Sequence, residues 1–241
     1  MRSGTFYAVG LGPGDEELLT LKAVRLLQRA AYVYVPFSRL TTQSWVHGAV
    51  QQYANQAAVI REVSFSLQRS REKREQHWQA TATSIIQTLQ QGNDVVFVTL
   101  GDPLLYSTAI YLLRALRRQW ADVKVEIVPG VSAYSHCAAL THFAVGEGTK
   151  PVTIIPAVTA MEDLQAAIQR GGTLVLMKIG HHLPAIIDML EENGLIHQAV
   201  FVARAGFPEQ RIETDLRSLR GADPACGNLA IILLDTEENT L

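Results

Sequence analysis

Residues 5–23 read T-F-Y-A-V-G-L-G-P-G-D-E-E-L-L-T-L-K-A. The opening Thr5–Val9 is aromatic and β-branched, the material of a strand, and the run Gly10 to Gly14 breaks it. Leu18, Leu19, Leu21, Val24 and Leu27 then recur at helical spacing. A strand that ends in a glycine loop and enters a helix is the repeating unit of an α/β fold. Glycines let the backbone turn sharply and come close to another group. The dinucleotide fingerprint G-x-G-x-x-G does not fit, because its third glycine would fall on Asp15. Pro13 removes an N–H donor from the turn. A phosphate loop of the Walker type is excluded, since no Gly-Lys-Ser/Thr follows. Taken alone, the stretch fits a purely structural turn as well as a ligand loop.

The same rhythm runs along the chain. Tyr32–Val35, a run near Ala57–Ile60, Asp94–Leu100 and Val123–Val128 read as strands, and so do Val152–Ile155, Thr173–Met177, Ala199–Ala203 and Leu229–Leu234. Helical segments fall near Met161–Gln169 and Leu183–Glu192. Asp94–Leu100 is nearly all apolar, as a strand covered on both faces should be. Residues 69–91 predict a long helix with an apolar stripe of Trp78, Ala82, Ile85, Ile86 and Leu89, ended by Gly92-Asn93. Its basic front, Arg69, Arg71, Lys73 and Arg74, fits a solvated face, as charge runs usually are, or a site for an acidic ligand. No low-complexity linker divides the chain. The Pro129-Gly130 turn and the loop Gly146–Pro151 are both candidate boundaries.

The chain has 241 residues, enough for one large domain or two small ones. It is 48% hydrophobic and 18% charged, which is globular rather than disordered. The 21 Lys and Arg nearly balance the 23 Asp and Glu, so no basic excess points to nucleic acid. A local basic lining for an acidic substrate remains compatible with that balance. No apolar run approaches the ~18 residues needed to span a bilayer, and the start lacks the apolar core of a signal peptide. Two cysteines cannot make a disulfide framework, and buried thiols in a reducing, cytoplasmic compartment are expected. His136, His142, His181 and His182 lack a tight ligand spacing, so no metal site is expected.

Two further loops carry chemistry. Leu100-Gly101-Asp102-Pro103-Leu104-Leu105-Tyr106-Ser107-Thr108 follows the most apolar strand, at the end where open α/β sheets bind ligands. Gly101 permits close approach, Asp102 offers acceptors to an amine or a ribose hydroxyl, and Ser107 or Thr108 can cap the helix that runs to Trp120. Val128-Pro129-Gly130-Val131-Ser132-Ala133 again ends a strand in Pro-Gly and opens a helix. Three such loops at strand ends point to one shared pocket.

These motifs, in this order, resemble those of the tetrapyrrole methylases. Val9–Asp15 followed by Leu18–Ala23 is similar to that family's opening, Gly101-Asp102-Pro103 and Val128–Ala133 to its second and third motifs, and Leu174–Met177 to its later strand. The resemblance covers almost the whole chain. Within the family it is greatest to the precorrin-2 C20 group, through Val35-Pro36-Phe37-Ser38, the helix after Arg69, and Tyr106-Ser107-Thr108 running on to Tyr111. The uroporphyrinogen-III group carries a functional aspartate where Pro36 stands, so that role is not carried over.

The resemblance implies two α/β domains, 1–130 and 131–241, with a cleft between them that differs from a Rossmann methyltransferase site. It implies an S-adenosylmethionine-dependent C-methyltransferase of cobalamin biosynthesis, acting on an anionic tetrapyrrole and assembling as a homodimer. Pro13, Leu100, Gly101 and Asp102 would contact the donor, with Leu105, Tyr106 and Thr108 just beyond. Ser132, Ala133, Met177 and Ala205 would complete its site, and Ala230 and Ile231 are further candidates. Tyr106 is the candidate acceptor for the proton that leaves the methylated carbon. Arg39, Lys150, Lys178, Arg204 and Arg211 are candidates for pairing with substrate carboxylates. Other readings are another methylase of the same fold, acting on a different tetrapyrrole, diphthamide or ribosomal RNA, or a tetrapyrrole- or nucleotide-binding module without turnover.

Overall fold

The computed structural model describes residues 3–37, 43–64, 71–156 and 161–237. Strand β1, Phe6–Gly10, is buried at every residue. Side chains on both faces of a strand are covered together when it lies inside a parallel sheet flanked by helices. β1 occupies such a place. It pairs in parallel with β4 (Val95–Thr99) on one side and β5 (Val125–Val128) on the other. β4 also pairs with β2 (Tyr32–Phe37), and β2 with β3 (Val59–Ser64), giving the order β3-β2-β4-β1-β5.

Four helices make the crossovers: α1 (Leu21–Arg29), α2 (Gln43–Tyr53), α3 (Arg71–Gln90) and α4 (Ala109–Gln119). Strand alternation sorts the core between them. Phe6, Ala8, Val95 and Phe97 pack with Ile85 and Leu89 of α3 and Leu112 and Leu116 of α4. Tyr7, Val9, Val96 and Val98 pack on the other face with Leu26 and Leu27 of α1 and Val46 and Val50 of α2. The expected stripe on α3 is present, with Ala82, Ile85, Ile86 and Leu89 buried and Trp78 packed against them. Lys73 and Arg74 of its basic front are exposed, and Arg69 lies outside the described residues. Thr20 starts α1 by accepting from the Ala23 N–H at 3.2 Å. Pro36 lies beyond Tyr34↔Phe97, the last β2–β4 pair, so its missing N–H falls where β2 has left that neighbour.

The chain divides into two compact units, Met1–Ser132 and Ala133–Leu241. The second contains β6 (Val152–Pro156), β7 (Thr173–Met177), β8 (Ala199–Ala203), β9 (Arg211–Glu213) and β10 (Ala230–Asp235) in the order β6-β7-β10-β8-β9. β10 runs antiparallel to both its neighbours, so this sheet is mixed. Helices α6 (Met161–Arg170) and α7 (Leu183–Glu192) cover one face, through Leu164, Ile186 and Leu190. Helix α5 (Ala133–Thr141) covers the other, where Cys137 packs with Val175, Val202, Ile231 and Leu233.

A buried ion pair closes one end of this sheet. Lys150 Nζ lies 2.6 Å from Oδ1 of Asp235, whose side chain is 3% exposed. Asp235 pairs with Thr173, whereas Met177 pairs with Ile231, so Lys150 sits at the opposite end of the sheet from Met177. Its expected place among substrate-binding cations is therefore corrected: the ammonium is committed to a buried carboxylate. Among the described residues no helix is long and apolar enough to cross a membrane.

Candidate functional site

The strand order creates the site in the first unit. The connection from β1 to β2 passes over β4, and that from β4 to β5 passes over β1. The chain leaves the carboxyl ends of β1 and β4 in opposite directions, which opens a crevice where such sheets take ligands. The loops singled out in the sequence meet there. Leu11 N–H donates to Thr99 O at 2.9 Å, and Gly12 and Gly101 exchange bonds of 3.3 and 2.7 Å. A Cβ on Gly10 would lie 2.5 Å from Gly101 O and 2.6 Å from Gly130 N, and one on Gly130 would lie 2.3 Å from Gly101 O. Side chains are excluded at 10 and 130 because three backbones touch. Gly101 differs: its φ is +69° and an added Cβ would meet nothing within 4 Å. There glycine serves a left-handed turn beside open space, the setting for a ligand that approaches the main chain.

Side chains brace the second loop. Asp102 Oδ1 accepts from Leu104 N–H at 2.8 Å, and its Oδ2 accepts from Gly130 N–H at 3.2 Å. The buried hydroxyls of Thr99 and Ser107 lie 3.0 Å apart, and Ser107 Oγ accepts from Ala109 N–H at 3.1 Å. Of the two expected caps for α4, Ser107 fills the role, and Thr108 makes no side-chain cap bond. Between these braces Tyr106 has φ +51°. Such a conformation costs a bulky residue on the order of 1–3 kcal/mol and persists when its neighbours hold it. Tyr106 is 40% exposed and Leu104 56%, so the loop presents two large apolar groups to solvent.

In the first unit, then, Leu100, Gly101, Asp102, Leu105, Tyr106 and Thr108 lie on the loop that leaves β4. Pro13, which is buried, lies on the loop bonded to it, and Ser132 follows Gly130 by two residues. In the second unit Ala133, Met177, Ala205 and Ile231 share one apolar cluster. Ala230 belongs to the cluster on the opposite face, as strand alternation requires.

The end of the second sheet near Met177 also carries strained backbone. Lys178, Arg204 and Leu229 have φ of +54°, +50° and +54°. Arg204 N–H donates to Leu229 O at 3.0 Å. A Cβ on Gly227 would lie 2.4 Å from Gly180 O, so the chain leaving β7 touches the chain entering β10. Of the other candidate cations, Arg211 is paired with Glu213 at 2.8 Å, Arg204 lies 3.8 Å from Glu209, and Arg39 is outside the described residues. Sequence reasoning missed Thr99, Gly180, Gly227 and Leu229. The glycines carry the same signal that marked the first unit, a glycine beside a strand end. Thr99 had only its hydroxyl in an otherwise apolar run.

A family model described as Tetrapyrrole (Corrin/Porphyrin) Methylases matches residues 5–220. The chain is 27% identical over 223 residues, 92% of each chain, to the cobalt-precorrin-2 C(20)-methyltransferase of Salmonella typhimurium. It is 31% identical over 172 residues, 71% of each, to the probable cobalt-precorrin-2 C(20)-methyltransferase of Methanocaldococcus jannaschii. Among solved structures, the uroporphyrin-III C-methyl transferase of Thermus thermophilus complexed with S-adenyl homocysteine is similar with a TM-score of 0.66 and 25% identity, covering 96% of this chain and 92% of that one. The match takes in the whole first sheet, all three glycine loops and the second sheet through β9, and the chain belongs to the tetrapyrrole methylases.

Proposed function

We propose that this chain is an S-adenosylmethionine-dependent C-methyltransferase that methylates C20 of precorrin-2, or of its cobalt form, in cobalamin biosynthesis. The observation that carries the reading is the joining of the Gly10, Gly101 and Gly130 loops at the strand-order switch, in a chain 27% identical to a C20-methyltransferase over 92% of both lengths. The open space and left-handed turn at Gly101 suit a bound donor. That donor supplies an electrophilic methyl sulfonium.

The chain's own task is placement. Holding two reactants about 3–3.5 Å apart and aligned supplies on the order of 7–11 kcal/mol, so no strong protein base is needed for the transfer itself. Leu100, Gly101 and Asp102 form the donor-facing wall of the first domain, 1–130, with Pro13, Leu105, Tyr106 and Thr108 beside them. Ser132, at the end of the first unit, and Ala133, Met177, Ala205 and Ile231 of the second complete the donor site, to which Ala230, whose side chain packs on the opposite face, adds its main chain. Lys178 and Arg204 flank the exposed Leu229 and pair with carboxylates on the rim of the tetrapyrrole. Tyr106 takes the proton released from the methylated carbon. The enzyme works as a cytoplasmic homodimer, a state that size-exclusion chromatography with light scattering tests directly.

The decisive experiment incubates the chain with methyl-labelled donor and either precorrin-2 or cobalt-precorrin-2, followed by mass spectrometry. One added methyl on one of the two substrates is expected. Donor binding with no label in either tetrapyrrole sinks the reading.

A further inference from the structure

We propose that Asp102 acts as a clamp between two loops: its main chain stays in the donor-facing wall, while its carboxylate holds the Pro129–Gly130 turn against the Gly101–Leu104 loop and sets the width of the donor crevice rather than bonding the donor. The inference rests on the donor reading above and deepens it. An aspartate on a ligand loop is ordinarily taken as an acceptor for the ligand's amine or hydroxyls. Here the carboxylate already has work on both sides. One oxygen accepts from Leu104 N–H at 2.8 Å and closes its own turn. The other reaches across 28 residues of sequence to Gly130 N–H at 3.2 Å. Bonds from an N–H to an ionised carboxylate are about twice as strong as neutral ones.

The position of that second bond gives it leverage. Gly130 stands where three backbones meet, against Gly101 O and the Cα of Gly10. Glycine has no side chain with which to lock such a contact. Asp102 is a side chain that bridges the two loops, and it does so one residue from Gly101, where the main chain borders open space. If the bond to Gly130 is lost, the turn can retreat from Gly101 and the crevice widens. The effect then reaches any ligand that needs the crevice at its native width, whichever groups that ligand carries. Asp102 is on this account a positioning residue.

The isosteric change Asp102→Asn separates the two roles. An amide keeps one acceptor but turns an NH2 toward the other N–H, so one of the two bonds must fail. Two probes are titrated by calorimetry into wild type and variant: S-adenosylhomocysteine, which has an α-amino group, and methylthioadenosine, which has none. The clamp predicts that both lose affinity by the same factor, about tenfold, which corresponds to ~1.4 kcal/mol. A loss confined to S-adenosylhomocysteine would mean that the carboxylate binds the donor's amine, and the proposal would be wrong. Thermal unfolding shows whether the variant is folded.

A second measurement needs no variant. The Gly130 amide should be protected from hydrogen exchange in the wild-type chain without ligand, and exchange at the free-peptide rate overturns the clamp. If neither probe binds wild type, the donor reading fails, and Gly130 exchange still decides the clamp.

Discussion

Replacing Gly130 by alanine tests whether the contact of three backbones governs the site. The new Cβ would be placed 2.3 Å from Gly101 O and 2.9 Å from the Cα and carbonyl carbon of Gly10. All three atoms are main chain, so no rotamer change can relieve the overlap. Restoring contact to an ordinary separation requires roughly 1 Å of loop movement, and overpacking of this kind costs about 1–3 kcal/mol. For a chain of this length each kcal/mol lowers Tm by about 2–4 °C, so a fall of roughly 2–12 °C is expected. A displacement near 1 Å at a reacting centre lowers rate by about 10²-fold. Donor-analogue affinity by calorimetry, methyl transfer, and thermal unfolding should therefore all decline together. Gly48→Ala is the control. Gly48 lies inside α2 with nothing within 4 Å of an added Cβ, so alanine there should stabilise by about 0.5–1 kcal/mol. If Gly130→Ala behaved like that control, with affinity and Tm unharmed, the backbone contact would not exist in solution.

Three more outcomes follow from side-chain contacts. Ser107→Ala removes the acceptor for Ala109 N–H and the partner of Thr99, and should cost about 1–2 kcal/mol in chemical denaturation; a neutral result would contradict the cap. Lys150→Met should lower Tm at neutral pH while leaving donor affinity unchanged. The hydrogen bond to Asp235, with that carboxylate's charge, holds the Lys150 ammonium above the ordinary lysine range. A raised folded pKa means that its contribution is whole below the ordinary lysine value and fades as pH climbs through the folded one. The gap between wild type and variant should thus close only in strongly alkaline buffer. Burial pushes the Cys137 thiol up to about 12, so a thiol reagent at pH 8 should label Cys226 in the native chain and reach Cys137 only after denaturation. That raised value also makes stability fall as pH rises past the ordinary cysteine range.

The inner part of the parallel first sheet was legible because burial on both faces forces continuous apolar runs, as in V-V-F-V-T at 95–99, and because glycine or proline closes β1, β2, β4 and β5. α3 was legible because its stripe, Trp78 to Leu89, holds over about three turns. α2 was not, since Gln43–Tyr53 carries Trp45, His47 and Gly48 among glutamines and shows no clean apolar face in sequence. β9 is too short, at three residues, to set up any alternation. The motif loops of the first unit could be read because glycine is an unambiguous mark of crowding or of left-handed backbone. What could not be read is which mark applied: Gly10 and Gly130 are crowded, while Gly101 faces open space. The left-handed Lys178, Arg204 and Leu229 were invisible for a related reason. Nothing in a lysine, arginine or leucine announces such a backbone, and tertiary bonds such as Arg204 N–H to Leu229 O hold it there. Lys150 misled because a cation in a loop looks the same whether its partner is a substrate or an aspartate 85 residues away.

The wall formed by Gly10, Gly101 and Gly130 is assembled from peptide groups, which every amino acid shares. Its shape is stored in the path of the chain, with only a few positions fixed by the absence of a side chain. Mutational drift elsewhere can therefore rewrite most of the alphabet around it and leave that surface intact, in keeping with relatives that retain about a quarter to a third of their letters over most of their length. An engineer seeking a new acceptor molecule has corresponding freedom: outward side chains such as Leu104 can be varied as a library, while the peptide scaffold beside them is left untouched.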